Sequence, residues 1–274
     1  MSSEAATITE SSNSNEADGG EKPDSISSYD HVKTLDQSDV KKAALTLFEA
    51  FRTDALAKHL TSHIDDTGIR DEIELSLYEC YVSQHISKGL CLGINEGDDR
   101  FETVAVWSLP HSEHAGLESF NTLMESGFYK VWFVCDPVAR EKIFQGMMNL
   151  LEDTFERIMS TDSRFKGKNV YTLVYLGSTK AARGKGNARR MFNYMFENYL
   201  DKTSNNIGYL ESSSATNIPI YEKFGFKFYE DICLGNKAEG VEGKDYAVMN
   251  VMVRDSYAHD WTKDENLHVS KGKL

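Results

Sequence analysis

The chain has 274 residues, of which 40% are hydrophobic, and a formal net charge of −13. Composition therefore predicts one core of good size, as a single domain with a tail rather than two domains. It excludes a membrane protein, since no stretch approaches the roughly 18 continuous apolar residues of a span, and it argues against a nucleic-acid binder, which needs a basic face for phosphates.

Residues 1–30 are rich in Ser, Asn and Gly and carry seven acids against Lys22 alone. With almost no large apolar side chains, they cannot offset their ordering entropy and are expected to form a disordered acidic tail. The tail lacks the apolar run of a secretory signal and the Arg-rich, acid-poor pattern of a transit peptide. A cytoplasmic protein is expected, with nuclear access left open. Cys80, Cys91, Cys135 and Cys233 form no CxxC pair and read as reduced thiols rather than a disulfide frame or zinc site.

Val32–Leu35 has the pattern of a short strand. Ser38 is a candidate N-cap for a helix in which Val40, Ala43, Ala44, Leu47, Phe48 and Phe51 repeat at amphipathic spacing. A second helix is predicted from Ile69 to His85, and a hairpin from Gly89–Asn95 and Phe101–Leu109 around the turn Glu96-Gly97-Asp98-Asp99. Helical periodicity returns over Glu141–Met159 through Phe144, Met147, Leu151, Phe155 and Ile158. A buried strand follows over Asn169–Gly177, then a helix over Gly186–Leu200 with Met191, Phe192, Met195 and Phe196 on one face. The chain continues with a strand Ile207–Ser212, a short helix Ala215–Phe224, and an antiparallel pair Phe226–Leu234 and Tyr246–Arg254. Residues 259–274 are polar and are expected to fray. Residues 31–258 thus read as an α+β domain: a mostly antiparallel sheet, flanked by helices, with one strand–helix–strand crossover.

The chemistry concentrates in that crossover. After the strand ending at Leu176-Gly177-Ser178 comes Arg183-Gly184-Lys185-Gly186-Asn187-Ala188, which opens the most regular helix of the chain. Glycines at a helix start let the backbone turn tightly and expose unpaired N–H donors at the positive end of the helix dipole, an arrangement suited to a pyrophosphate. Lys180, Arg183, Lys185, Arg189 and Arg190 form a basic island with no acid between Leu176 and Phe196. The plainer reading is a solvated Gly/Lys loop. Neither a dinucleotide fingerprint nor a Walker loop fits the register.

These residues carry a resemblance. Arg183, Gly186 and Ala188 match the Arg/Gln-x-x-Gly-x-Gly/Ala motif of GNAT acetyltransferases, and Asn217, Tyr221, Gly225 and Phe226 are similar to that family's later helix ending in Gly-Phe. Ala105–Pro110 and the run from Leu210 to Pro219 resemble puromycin N-acetyltransferase-type members. The likeness spans roughly Val32 to Arg254, dense in the two motifs. It departs at Ser178, where the family usually has an aliphatic residue, and at Lys180, where it often has Pro.

The resemblance implies a GNAT fold, a central mixed and splayed sheet. It implies acetyl-CoA as co-substrate, entering between the strand ending at Ser178 and the one starting at Ile207. The pantetheine arm would pair with backbone groups of Leu176, Gly177 and Ser178, and the pyrophosphate would rest on N–H groups of Arg183, Gly184, Lys185, Gly186, Asn187 and Ala188. An amine would attack the thioester directly. A lysine-like amine of pKa about 10.4 needs a base near neutral pH, and a leaving thiolate of pKa about 8.5 benefits from a proton donor.

Tyr221 matches the family's proton donor; otherwise it is a core aromatic. Glu211, at a strand end, is the candidate base or amine anchor; otherwise it is a surface carboxylate. Trp107 could floor the acceptor pocket or sit in the core. Asn217 could bond the CoA arm or cap the helix that Pro219 helps start. His59, His63, His85, His111 and His114 have no metal-ligand spacing, and no metal is expected. The expected partner is a small-molecule amine. Acetylation of a protein lysine or N-terminus, and a non-catalytic CoA-binding module, remain as alternatives, and the oligomeric state is open.

Overall fold

The computed structural model describes Tyr29 and residues 31–265. The expected acidic tail, Tyr29 aside, and the extension beyond 265 lie outside the described residues. Among the described residues the strands β1 (Val32–Thr34), β2 (Leu90–Glu96), β3 (Phe101–Ser108), β4 (Asn169–Ser178), β5 (Asn206–Ser212), β6 (Lys227–Gly235) and β7 (Tyr246–Asp255) form one sheet, ordered β1-β2-β3-β4-β5-β7-β6. β4 and β5 pair in parallel, and every other neighbouring pair is antiparallel. This is the expected α+β architecture with its single crossover.

Two-residue alternation sorts the side chains to two faces. Ala105 and Trp107 of β3 pack with Met191, Phe192 and Met195 of the crossover helix, labelled α8 below (Asn187–Asn198). Val104 and Val106 face the other way, onto Ala43, Ala44 and Leu47 of α1 (Val40–Phe51) and Tyr78 and Val82 of α3 (Thr67–Lys88). Each large apolar side chain so buried contributes about 1.5–3 kcal/mol. Gly177 of β4 allows α1 to approach closely, because a Cβ there would stand 2.9 Å from Ala50 and Leu47. On the β5–β7 half of this second face, Ile207, Tyr209, Val251 and Val253 pack with Ile73, Leu77, Val131 and Ile158.

The caps differ from expectation at one point. Asp36, not Ser38, opens the first helical turn. The Asp36 carboxylate accepts from Ser38 N at 2.8 Å, while Asp39 accepts from Asp36 N at 3.1 Å. A carboxylate is a stronger acceptor for the exposed amides than the serine hydroxyl, which itself donates to Asp36. Three short helices were not expected: α2 (Ala55–Thr61), α4 (Phe120–Ser126) and α5 (Phe128–Val134). Each has seven residues, fewer than two turns fully show as periodicity, and the α5 sequence FYKVWFV is rich in strand-favouring residues that tertiary packing overrides. After α6 (Pro137–Arg140), the helix expected from Glu141 begins with wider π-type turns over Glu141–Met147 before α7 (Met148–Thr161). At the other end, the described part of the polar extension carries an anchor. Trp261 is buried against Phe165 and donates from Nε1 to Val253 O at 2.9 Å.

Candidate active site

The parallel strands part company. β4 and β5 pair from Asn169/Asn206 to Leu173/Leu210, after which β4 continues to Ser178 and β5 to Ser212 without further pairing. On its other edge β4 stays paired with β3 as far as Thr103/Ser178, but the register shifts between Val106 and Trp107, leaving Val174 as an extra residue in β4. Such a bulge bends the bulged strand and ends regular pairing. Leu176, Gly177 and Ser178 therefore lie on a strand edge with no β5 partner, which suits an extended ligand backbone added as a strand.

Past Ser178 the chain makes a short turn over Lys180–Ala182 and enters the glycine loop. Glu49 of α1 accepts from Lys180 N at 3.0 Å and orders the entry. Gly184 and Gly186 both sit at φ +80°, and a Cβ at either would meet nothing within 4 Å. The backbone thus needs glycine for its conformation and leaves open space over the start of α8. Arg190 N bonds Gly186 O at 3.2 Å as the first α8 bond, so the amides of Asn187, Ala188 and Arg189 have no intrahelical acceptor. Open space above Gly184 and Gly186 and the unpaired amides of Asn187, Ala188 and Arg189 are features suited to a polyanion.

The loop side chains are less available than their type suggests. Asn187 is buried and donates to Glu102 and Thr103 Oγ1, both at 3.1 Å. Lys185 pairs with Glu102 at 2.8 Å, and Ser178 Oγ shares a 2.9 Å hydrogen bond with Thr103. The Lys185 hydrogen bond, with others from Asn95 and Asn187, holds the Glu102 carboxyl down to about 2. Asn187 and Ser178 can therefore present backbone groups to a ligand, whereas the Lys185 amide donates to Ala182 O at 3.4 Å; the side chains of all three brace the loop on β3.

On the α3 side of the gap lies a cavity of about 810 Å³, lined in part by Leu176, Glu211, Asn217 and Tyr221. Glu211 follows Ile207 and Tyr209 at two-residue spacing and shares their face. Burial raises its carboxyl to about 7, against the partly offsetting Tyr209 hydroxyl beside it. Tyr221 packs edge-on against Phe192 and Phe226. Burial, with some help from the charge of Asp54, pushes its hydroxyl up to about 12. A carboxylate near its titration point and a phenol that stays protonated thus both line the cavity, one fit to take a proton and the other to give one. Asn217 does not cap α9 (Ile218–Glu222) with its side chain.

Trp107 is a correction. It is 1% exposed in the core against Phe192 and does not line the cavity. Alternation along β3 turns positions 105 and 107 toward α8, whereas the cavity opens on the side of α3 and α7.

Several wall residues went unrecognised in the sequence. Tyr78 and Tyr81 of α3 and Tyr175 of β4 form an edge-to-face cluster with centroids 5.4 Å apart. His85, one turn beyond Tyr81, bonds Tyr81 O at 2.7 Å and Ser108 Oγ at 3.0 Å, and burial lowers it to about 4. Asp54 caps α2 and accepts from Ser213 Oγ at 2.5 Å, tying that loop to the end of β5. The available signal was the row Glu74, Tyr78, Tyr81, Gln84 and His85, polar and aromatic residues at helical spacing on a face that should otherwise be apolar. Among the described residues no cluster of three or more His, Cys, Asp or Glu could hold a metal ion, and no helix is long and apolar enough to cross a membrane.

No protein-family model matches the chain. An uncharacterized N-acetyltransferase of Schizosaccharomyces pombe is 27% identical over 224 residues, covering 82% of this chain and 83% of the relative. A polyamine N-acetyltransferase of Drosophila melanogaster superposes with a TM-score of 0.51 at 14% identity, over 82% of this chain and 98% of the fly chain. A Corynebacterium glutamicum structure of a histone acetyltransferase HPA2 and related acetyltransferase gives 0.49 at 18% identity, over 82% and 95%.

Proposed function

We propose that the chain is an N-acetyltransferase of the GNAT superfamily that moves the acetyl group of acetyl-CoA to a primary amine of a small molecule, a reading supported by its likeness to the fission-yeast relative. The observation that carries this reading is the convergence of Leu176, Glu211, Asn217 and Tyr221 on one cavity where β4 and β5 separate. In this reading bound acetyl-CoA supplies the thioester. The free edge of Leu176–Ser178 aligns its arm, and the unpaired amides of the loop and helix start around Gly186–Ala188 hold its pyrophosphate, the Lys185 amide being bonded to Ala182 O. Glu211 takes a proton from the incoming ammonium, which frees the nitrogen lone pair to form the new C–N bond. Tyr221 gives its proton to the sulfur as the C–S bond breaks, and the tyrosinate recovers a proton from the nitrogen, which sheds its second proton to become the amide. A cavity of this size can take up a small amine.

The test is release of free CoA thiol from acetyl-CoA across a panel of primary amines, including an aminonucleoside of the puromycin type, with acetylated product identified by mass. Amine-dependent thiol release with N-acetyl product is expected. Thiol release that no amine accelerates, from protein that binds CoA, would overturn the proposal.

The donor half is tested separately by Gly186→Val. Valine at φ +80° is strained, and its β-branched side chain enters the space above the loop. CoA affinity by titration calorimetry should fall by at least about tenfold. Unchanged heats from a folded variant would remove the loop from the donor site.

A further inference from the structure

We propose that Ser108 sets the specificity of the cavity. Its Oγ, held by His85 as a hydrogen-bond acceptor only, takes an O–H or N–H from an uncharged group that the acceptor molecule carries three or four carbons from its reacting nitrogen. This rests on the acetyltransferase reading above and deepens it to a substrate class, a primary amine with a hydroxyl or amide N–H at that spacing.

The hydrogens of this pair are fixed by what each partner can do. Tyr81 O can only accept, so the 2.7 Å bond from His85 places the ring proton on Nδ1. Nε2 is then a lone pair, and its 3.0 Å contact with Ser108 Oγ is a hydrogen bond that the serine donates. The ring is 2% exposed, and burial lowers it to about 4, so it stays neutral and the bond keeps its direction at neutral pH. The close approach is built in. A Cβ at Gly89, where α3 ends, would stand 2.5 Å from Trp107 O and 3.2 Å from His85 Cδ2, so glycine lets the helix end meet β3. Ser108 makes no other side-chain hydrogen bond among the described residues. With its one proton given to His85, the hydroxyl offers a ligand lone pairs and no donor.

The sheet register places this acceptor across the cavity from Glu211. Ser108 is level with Thr172 of β4, and Thr172 with Tyr209 of β5. Alternation turns Trp107 and Leu173 toward α8, which puts Ser108, Thr172 and Tyr209 on the opposite face, and all three line the cavity. Glu211 is the next residue of β5 on that face. Two strand spacings and two residues of rise separate the Ser108 and Glu211 backbones by about 12 Å. Side chains stand roughly perpendicular to a sheet, so their oxygens keep most of that separation. A hydrogen bond of about 2.9 Å at each end leaves about 5–6 Å between the two polar atoms of a ligand, the span of three or four carbons.

The test is calorimetric titration of the full chain, saturated with CoA, run beside turnover with acetyl-CoA. The probes are 3-amino-1-propanol and 4-amino-1-butanol, each beside its O-methyl ether and the alkylamine of equal length, n-butylamine or n-pentylamine. The better amino alcohol should bind about three- to tenfold more tightly than its ether and its alkylamine. Ser108→Ala should bring the three to one affinity, whereas Ser108→Thr, which keeps the hydroxyl, should retain the preference. His85→Leu frees the Ser108 proton, so the ether, whose oxygen only accepts, should gain on the alcohol. A pair that merely ties α3 to β3 would shift melting in these variants and leave the affinity ratios alone. No preference in the unaltered protein, including no binding of either amino alcohol, would overturn the inference even if other amines are acetylated. So would a preference that survives unchanged in folded Ser108→Ala or His85→Leu. A Ser108-dependent preference without turnover would uphold this site and overturn the acetyltransferase reading instead.

Discussion

Tyr221→Phe is expected to lower kcat by about 10²- to 10⁴-fold, the range of a lost general acid, while Tm and CoA affinity hardly move. The change removes one oxygen and leaves the packing on Phe192 and Phe226 in place. The hydroxyl makes no hydrogen bond within the protein among the described residues, so its removal strands no partner. Held at about 12, it is a protonated donor throughout the neutral range. The rate loss should shrink for acyl donors with a more acidic leaving thiol, which need less protonation. A purely structural tyrosine gives a different pattern: with no bonded partner to strand, Tyr221→Phe would leave both Tm and the rate per folded molecule nearly unchanged. A melting curve and a steady-state rate on one preparation separate the two, and an intact rate in the folded variant would remove Tyr221 from the chemistry.

Glu211→Gln is expected to cost a similar about 10²- to 10⁴-fold in kcat/KM toward a strongly basic amine, and to change the pH profile in a way that mere disruption would not. Only the ionised carboxylate can take the proton. With its carboxyl at about 7, kcat/KM of the unaltered protein should rise as pH increases through that value, and this step should vanish in the variant. Stability should move in the opposite sense. The folded-state value lies above the ordinary 4.5, so between roughly pH 4.5 and 7 the folded chain keeps a proton that the unfolded chain has lost. Folding is therefore progressively weakened as pH rises across this window. Glutamine has no charge to bury, so at pH 8 the variant should be the more stable protein, by at most about 3 kcal/mol and less after relaxation. A variant that melts earlier than the unaltered protein at pH 8, or that keeps the step near pH 7, would show that Glu211 is not the base.

The glycine loop was legible in the sequence because its requirements are local. Two glycines at positive φ, a helix start and a run of lysine and arginine all lie within a dozen residues, and each speaks for itself without knowledge of neighbours. The long amphipathic helices and β-branched strands were legible for the same reason, as was the α+β class, since apolar periodicity is written along the chain. Position within the helix start was finer than the pattern allowed: Asp36 and Ser38 are both good caps, and geometry chose Asp36.

What the chain does with those elements was decided by packing. Period-two alternation says that Val106 and Trp107 face opposite sides of β3, but not which side holds the cavity, so Trp107 could be assigned to the core only when α8 was seen to cover it. The bulge at Val174 and the parting of β4 from β5 arise from the relation of three strands, and no one strand records them. The raised carboxyl of Glu211 comes from burial beneath residues distant in sequence. Glu152 and Glu156 act on the Glu118 carboxyl across more than thirty intervening residues, a proximity that only the fold creates. Desolvation and like-charge proximity are properties of where groups sit in space, and only the tertiary structure determines them.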